Sequence, residues 1–131
     1  MLKTPVARGR SGTVLLMDSI TLVTPDDAGA MVVCGSHGGS SSAEFALEVP
    51  LALVVFNDAG VGKDEAGIAA LARLQQHGVP AATVAHTSAR IGDARDSWES
   101  GIVSHVNPAA RALGLAPGQP LQATLRRLVA A

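Results

Sequence analysis

The sequence predicts a single three-layer α/β domain, with a mostly parallel sheet of about four to five strands and helices on both faces. Three observations lead to it. Continuous β-branched runs such as "AMVVCGS" (30–36) and "LALVVFND" (51–58) read as strands covered on both faces. Segments with apolar residues every three or four positions follow these runs, and parallel neighbours need such helical crossovers. The chain has 131 residues, 47% of them hydrophobic, which suffices for one core without disulfide or metal staples. No repeat or linker divides it, so one domain is expected over 1–131.

The opening stretch "MLKTPVARGR" mixes charge, Pro and Gly without apolar periodicity, so residues 1–11 are expected to form a loose arm. "TVLLMDSITLVT" (13–24) reads as two short strands bent at Asp18 and Ser19, and "TPDDAG" (24–29) as a turn or one helical turn. After the strand in 30–36, Ser41 stands three residues before Glu44, the spacing of a capping box, and Pro50 ends the helix it starts.

The strand in 51–58 leads through "AGVGK" into a helix whose Ile68, Leu71 and Leu74 share one face, with Gly78 at its end. "AATVAHTS" (81–88) is the next strand, "ARIGDARDSWES" a long polar loop, and "GIVSHV" (101–106) a short strand. Asn107 and Pro108 have the character of an N-cap and first helical residue. Leu121, Leu125 and Leu128 then line one face of a terminal helix.

Composition removes several classes of function. A lone cysteine, Cys34, excludes an internal disulfide framework, and no basic segment followed by an apolar run suggests a signal peptide, so a cytoplasmic location is expected. Every hydrophobic run is broken before the roughly 20 apolar residues a spanning helix needs, so no membrane partner is expected. A net charge of -1 and only Phe45, Phe56 and Trp98 as aromatics leave no basic stripe and no stacking platform, so nucleic acid is not expected as a partner.

In a parallel α/β sheet, ligands bind beyond the carboxyl ends of the strands. Three loops should meet there: "GSHGGS" (35–40), "NDAGVGKDE" (57–65) and "HTSARIGDARD" (86–96). Ser36, Gly38, Gly39 and Ser40 precede a helix, where free N–H groups can face an anion; the plainer reading is a tight turn. His37 within this loop can act as acid, base or donor near neutral pH. His86 ends a strand at the same edge, whereas His77 and His105 are read as structural.

"NDAGVGKD" invites comparison with a phosphate-binding P-loop, but Asn57 stands where that motif needs Gly and Asp64 where it needs Ser or Thr. Glu65 likewise occupies the place of the third glycine in a dinucleotide fingerprint. No cofactor is therefore expected. Lys63 remains a candidate anchor or base, set against an ordinary surface cluster with Asp58 or Asp64. Asn57 and Asp58 are candidate ligand contacts at a strand end.

Ser88, Arg90 and Asp93 suggest a carboxylate-recognising cluster; the competing reading is an Arg90–Asp93 ion pair that shapes the loop. Cys34 with His37 supplies only two metal ligands, so no metal site is expected. Cys34 also occupies the first glycine of a nucleophile elbow, which argues against a serine hydrolase.

The expected function is acid–base chemistry on a small anionic metabolite bearing carboxylate or phosphate. His37, Asp58 and Lys63 would be its catalytic residues, with Ser36, Gly38, Gly39, Ser40, Asn57, His86, Ser88, Arg90 and Asp93 binding the ligand. Isomerase, lyase and hydrolase reactions fit equally, and the alternatives are a non-catalytic binding or regulatory subunit and a homo-oligomeric assembly protein. A homo-oligomer is expected from the leucine face of the last helix.

Overall fold

The buried strands set the frame. In the computed structural model, which describes all 131 residues, β1 (Lys3–Gly9), β2 (Gly12–Met17), β3 (Met31–His37), β4 (Leu53–Asn57), β5 (Ala81–Val84) and β6 (Val103–Val106) lie in one sheet in chain order. β2 to β5 run parallel, while β1 and β6 close the two edges antiparallel. The sheet is thus mostly parallel, with six strands rather than four or five.

Alternation along the strands sends neighbouring residues to opposite faces. Val14, Leu16, Val33, Val55 and Val84 pack in one apolar cluster with Trp98, Leu121, Leu125 and Val129. Met17, Val32, Cys34, Val54 and Phe56 pack in a second cluster with Ala43, Ala46, Leu71 and Leu74. This two-sided burial is why the central strands read as continuous apolar runs instead of alternating ones.

The extra strand comes from the segment expected to be a loose arm. β1 forms a hairpin with β2, pairing Lys3 with Met17 and Gly9 with Gly12, and Asp18 closes its start by accepting the Leu2 N–H at 2.7 Å. Lys3 also reaches Asp27 Oδ2 at 2.9 Å. An edge strand is held by backbone pairing and only partly buried side chains, so it carries little apolar periodicity for a sequence reading to detect.

Two local expectations also change. Residues after Asp18 form a single 3₁₀ turn (Ile20–Leu22) rather than a second strand, because the Ser19 hydroxyl caps it by accepting the Thr21 N–H. The capping box at Ser41 and Glu44 does not form: α1 (Ser40–Ala46) has Gly39 as its N-cap, and Glu44 instead meets Arg73 of the following helix at 3.0 Å.

The next crossover is a 3₁₀ segment (Lys63–Ile68) leading into α2 (Ala69–Gln75), which buries Leu71 and Leu74. The polar loop before β6 contains an unforeseen helix, α3 (Ala94–Ser100), capped where Asp93 accepts the Asp96 N–H at 2.9 Å. At α4 (Pro108–Leu113) the expected start is found: Asn107 is the N-cap and accepts the Ala110 N–H at 2.9 Å. α5 (Leu121–Ala130) buries Leu121 and Leu125 completely and packs Leu128 on the same cluster. The leucine face expected to meet a second copy is therefore satisfied within the chain. No helix is long and apolar enough to cross a membrane.

Candidate functional site

The three polar loops do meet beyond the carboxyl ends of β3, β4 and β5, joined by backbone and side-chain hydrogen bonds. Gly38 donates its N–H to the Asn57 carbonyl at 3.0 Å, Asn57 Nδ2 donates to the Ala89 carbonyl at 2.9 Å, and Gly92 N–H donates to the Gly35 carbonyl at 2.7 Å. Asn57 is fully buried, and its Oδ1 accepts the Ala59 N–H at 2.8 Å. Each end of this amide ties loops together, and because the residue is fully buried it presents no atom to solvent.

The glycines after His37 serve packing as much as turning. Gly38 uses its N–H on Asn57 and its carbonyl on the Ala70 N–H at 2.8 Å. A methyl group on Gly38 would lie 2.5 Å from the Gly67 carbonyl oxygen, so two backbones touch where no side chain fits. Gly39 lies under the His37 ring, whose Nε2 would be 2.6 Å from an added methyl group. α1 has only seven residues, so its dipole is a fraction of that of a long helix.

Asp58 is the most constrained polar group at this edge. It is buried, and its Oδ1 accepts the Gly60 N–H at 2.8 Å and the His86 backbone N–H at 3.0 Å. The same oxygen lies 3.3 Å from His86 Nδ1, while the imidazole itself is 54% exposed. Burial pushes the Asp58 carboxyl up, but the Gly60 N–H, the Ser104 hydroxyl, the His86 N–H and the imidazole outweigh it and hold the group below the usual carboxylate range. Asp58 is therefore an anion at neutral pH, fixed beneath a histidine whose Nε2 makes no hydrogen bond within the protein.

The backbone beside this pair is unusually strained. Ala59, Val61, Asp64 and Glu65 all have positive φ, at 52°, 67°, 56° and 56°. For a β-branched residue such as Val61 this is costly, and each such residue stores on the order of 1 kcal/mol or more. Gly60 and Gly62 take the same sign at no steric cost, and the Gly60 backbone lies against the His86 ring.

Side chains at this edge fall into two depressions. One, of about 260 Å³, is lined by His86, Thr87, Ser88, Arg90, Asp96 and Ser100 among others. Arg90 makes no ion pair: Asp93 caps α3, and Asp96 Oδ2 accepts only the Arg90 backbone N–H at 2.8 Å. Its guanidinium is free for an external anion. Ser88 donates to the Ala85 carbonyl at 2.7 Å and accepts the Ile102 N–H at 3.0 Å, which locks its hydroxyl.

The other depression, of about 420 Å³, holds His37 and Ser36 between the ends of β2 and β3. His37 shares no hydrogen bond or ion pair with Asp58 or Lys63, so no direct contact links the three residues expected to be catalytic. Lys63 and Ser40 are exposed and line neither depression. Cys34 is buried in the sheet, donates to the Val55 carbonyl at 3.3 Å, and has its thiol pushed up to about 12 by burial. No group of three His, Cys, Asp or Glu side chains is placed to hold a metal.

The pairing of Asp58 with His86 is not legible in the sequence, since the two residues lie 28 positions apart. Comparison with known proteins finds no matching family model, no similar curated protein and no similar solved structure.

Proposed function

We propose that the protein acts on a small anionic metabolite by acid–base chemistry, with His86 as the proton-transferring group. The observation that carries this reading is the buried Asp58 carboxylate 3.3 Å from His86 Nδ1. A carboxylate in that place favours the tautomer with the proton on Nδ1, which leaves Nε2 as a base facing the cavity. Asp58 is a positioning residue in this scheme, and Arg90, free of any ion pair, binds the carboxylate or phosphate of the ligand.

The cavity of about 260 Å³ suits a ligand of few heavy atoms. The Ser88 hydroxyl is held at both its donor and acceptor sides, so it is not poised as a nucleophile for His86 to activate. Proton abstraction, as in an isomerase or lyase, fits the residues better than covalent hydrolysis. The strained Ala59 and Val61, on either side of the Gly60 that packs against the His86 ring, support the same location, since strained backbone clusters at sites that need fixed geometry. We also read the fold as three layers, a reading supported by the two apolar clusters, each of which combines strand and helix residues.

The test is a thermal-shift screen of small carboxylates and phosphate esters, followed by mass spectrometry of each stabilising compound for turnover. Arg90→Ala is expected to abolish the stabilisation, and His86→Gln to keep it while lowering turnover at least a hundredfold. Stabilisation without any turnover would favour a binding or regulatory subunit. Turnover that survives His86→Gln would overturn the reading.

A further inference from the structure

The His37 groove is a second feature of the carboxyl edge, separate from the His86 cavity, and its walls come from both faces of the sheet. α1 contributes Phe45 on one side and the 88–93 segment contributes Ile91 on the other. Its floor is backbone: Gly35 donates its N–H to the Asp18 carbonyl at 3.1 Å and accepts from Gly92. A methyl group on Gly35 would lie 2.5 to 2.7 Å from Gly92, Asp93 and Asp18 backbone atoms, so the floor is closed and rigid.

The groove offers hydrogen bonds, and its one carboxylate is already engaged by the backbone. Asp18, its only carboxylate, has one oxygen on the Leu2 N–H at 2.7 Å and the other on the Ala94 N–H at 3.0 Å. No Lys or Arg lines it. Ser36 accepts the Ile20 N–H at 3.0 Å, and neither its hydroxyl proton nor the His37 ring nitrogens make a further hydrogen bond to a protein nitrogen or oxygen. Phe56 and Trp98 are buried, so Phe45, 39% exposed, is the one phenylalanine or tryptophan the protein presents to solvent, and it stands at this groove. Ile91, 56% exposed, faces it from the other wall. Large apolar side chains left open on both sides of a polar floor mark a place where a ligand supplies the missing contact.

We propose that this groove binds a planar, uncharged heteroaromatic ring with an amide-like hydrogen-bonding edge, of the nucleobase or nicotinamide class. The ring lies between Phe45 and Ile91 while its polar edge meets the Ser36 hydroxyl and His37. An anionic ligand would meet no Lys or Arg here, a cationic one would find both Asp18 oxygens already taken by backbone N–H groups, and a purely apolar one would leave the hydroxyl and imidazole unpaired. The site depends on neither His86 nor Arg90.

Titration of the isotope-labelled protein with adenine and with nicotinamide, followed by backbone amide NMR, tests it. The expected result is saturable shifts for at least one probe, confined to residues around Gly35, Ser36, Phe45 and Gly92. Binding should weaken at least tenfold in Phe45→Ala and in Ser36→Ala, with Arg90→Ala unchanged. Because Phe45 is exposed, its variant tests the ring contact with the fold intact, and dispersed amide spectra confirm that. No saturable shift with either probe, shifts centred on His86, or affinities unaltered by Phe45→Ala would each overturn the proposal.

Discussion

Asp58 Oδ1 holds both the backbone N–H of His86, at 3.0 Å, and the Nδ1 edge of the same residue, at 3.3 Å. One buried oxygen is therefore shared by the main chain just beyond β5 and by the Nδ1 edge of the exposed imidazole. The two residues should respond very differently to truncation. Asp58→Ala leaves the N–H groups of Gly60 and His86 without an acceptor and should cost about 2–4 kcal/mol in urea unfolding. His86→Ala removes a half-exposed ring and should cost under about 1 kcal/mol. Equal losses in the two variants would make the histidine structural.

Acid should weaken the protein through the same carboxylate. Asp58 and Asp27 both have folded pKa values below the ordinary range; at Asp27 burial raises the carboxyl, but the Lys3 side chain and the Thr24 N–H outweigh it. A depressed folded pKa contributes stability that is fully present above the unfolded value near 4 and is lost as pH falls through the folded value. Melting temperatures between about pH 2 and 6 should fall on acidification, and the fall should be shallower in Asp27→Asn and Asp58→Asn. Parallel curves for the wild type and both variants would contradict the assignment.

Alkali should act through Cys34. Its thiol is pushed from 9.0 to about 12 by burial. Above pH 9 the unfolded chain loses this proton while the folded chain keeps it until about 12, so stability declines as pH rises across that window. Native protein at pH 8 should react with an aromatic disulfide reagent only as fast as it opens, and fully once denatured. Rapid native labelling would show the thiol to be accessible.

Neighbouring glycines should tolerate alanine unequally. Gly38→Ala drives a methyl group into the Gly67 carbonyl and should cost about 1–3 kcal/mol, because neither backbone can give way. Gly39→Ala meets only the end of the His37 side chain, which can swing aside, so its cost should be a few tenths of that range and its effect a displaced imidazole. Chemical denaturation separates the two, and the reverse ranking would refute the packing role given to Gly38.

Relief of the strained loop should show as a gain. Val61, at φ 67°, is a β-branched residue in a region that glycine enters freely. Val61→Gly removes about 1–3 kcal/mol of strain against a loss of about 0.5–1 kcal/mol in unfolded-chain entropy. Unfolding free energy should therefore hold steady or rise in this variant. A clear loss of stability would mean that the Val61 side chain contributes packing larger than its strain.

Much of the fold can be read from residues alone, since period and punctuation are local properties. The runs in 30–36 and 51–58 declare buried strands, Leu121 and Leu125 declare a buried helix face, and Asn107 with Pro108 declares a helix start; each is where the reading places it. The reading fails where backbone partners decide the outcome: residues 3–9 become β1 because β2 offers an edge, and Gly39 begins α1 without the capping box. The convergence of three loops at one edge also follows from alternating strands and helices. Which side chains share a cavity does not. His37 and Asp58 belong to adjacent loops, yet His37 opens onto one groove while Asp58 turns beneath His86, a residue 28 positions away. That partition depends on strand register and on how each chain leaves its strand, and a single sequence carries no record of either until the strands are paired.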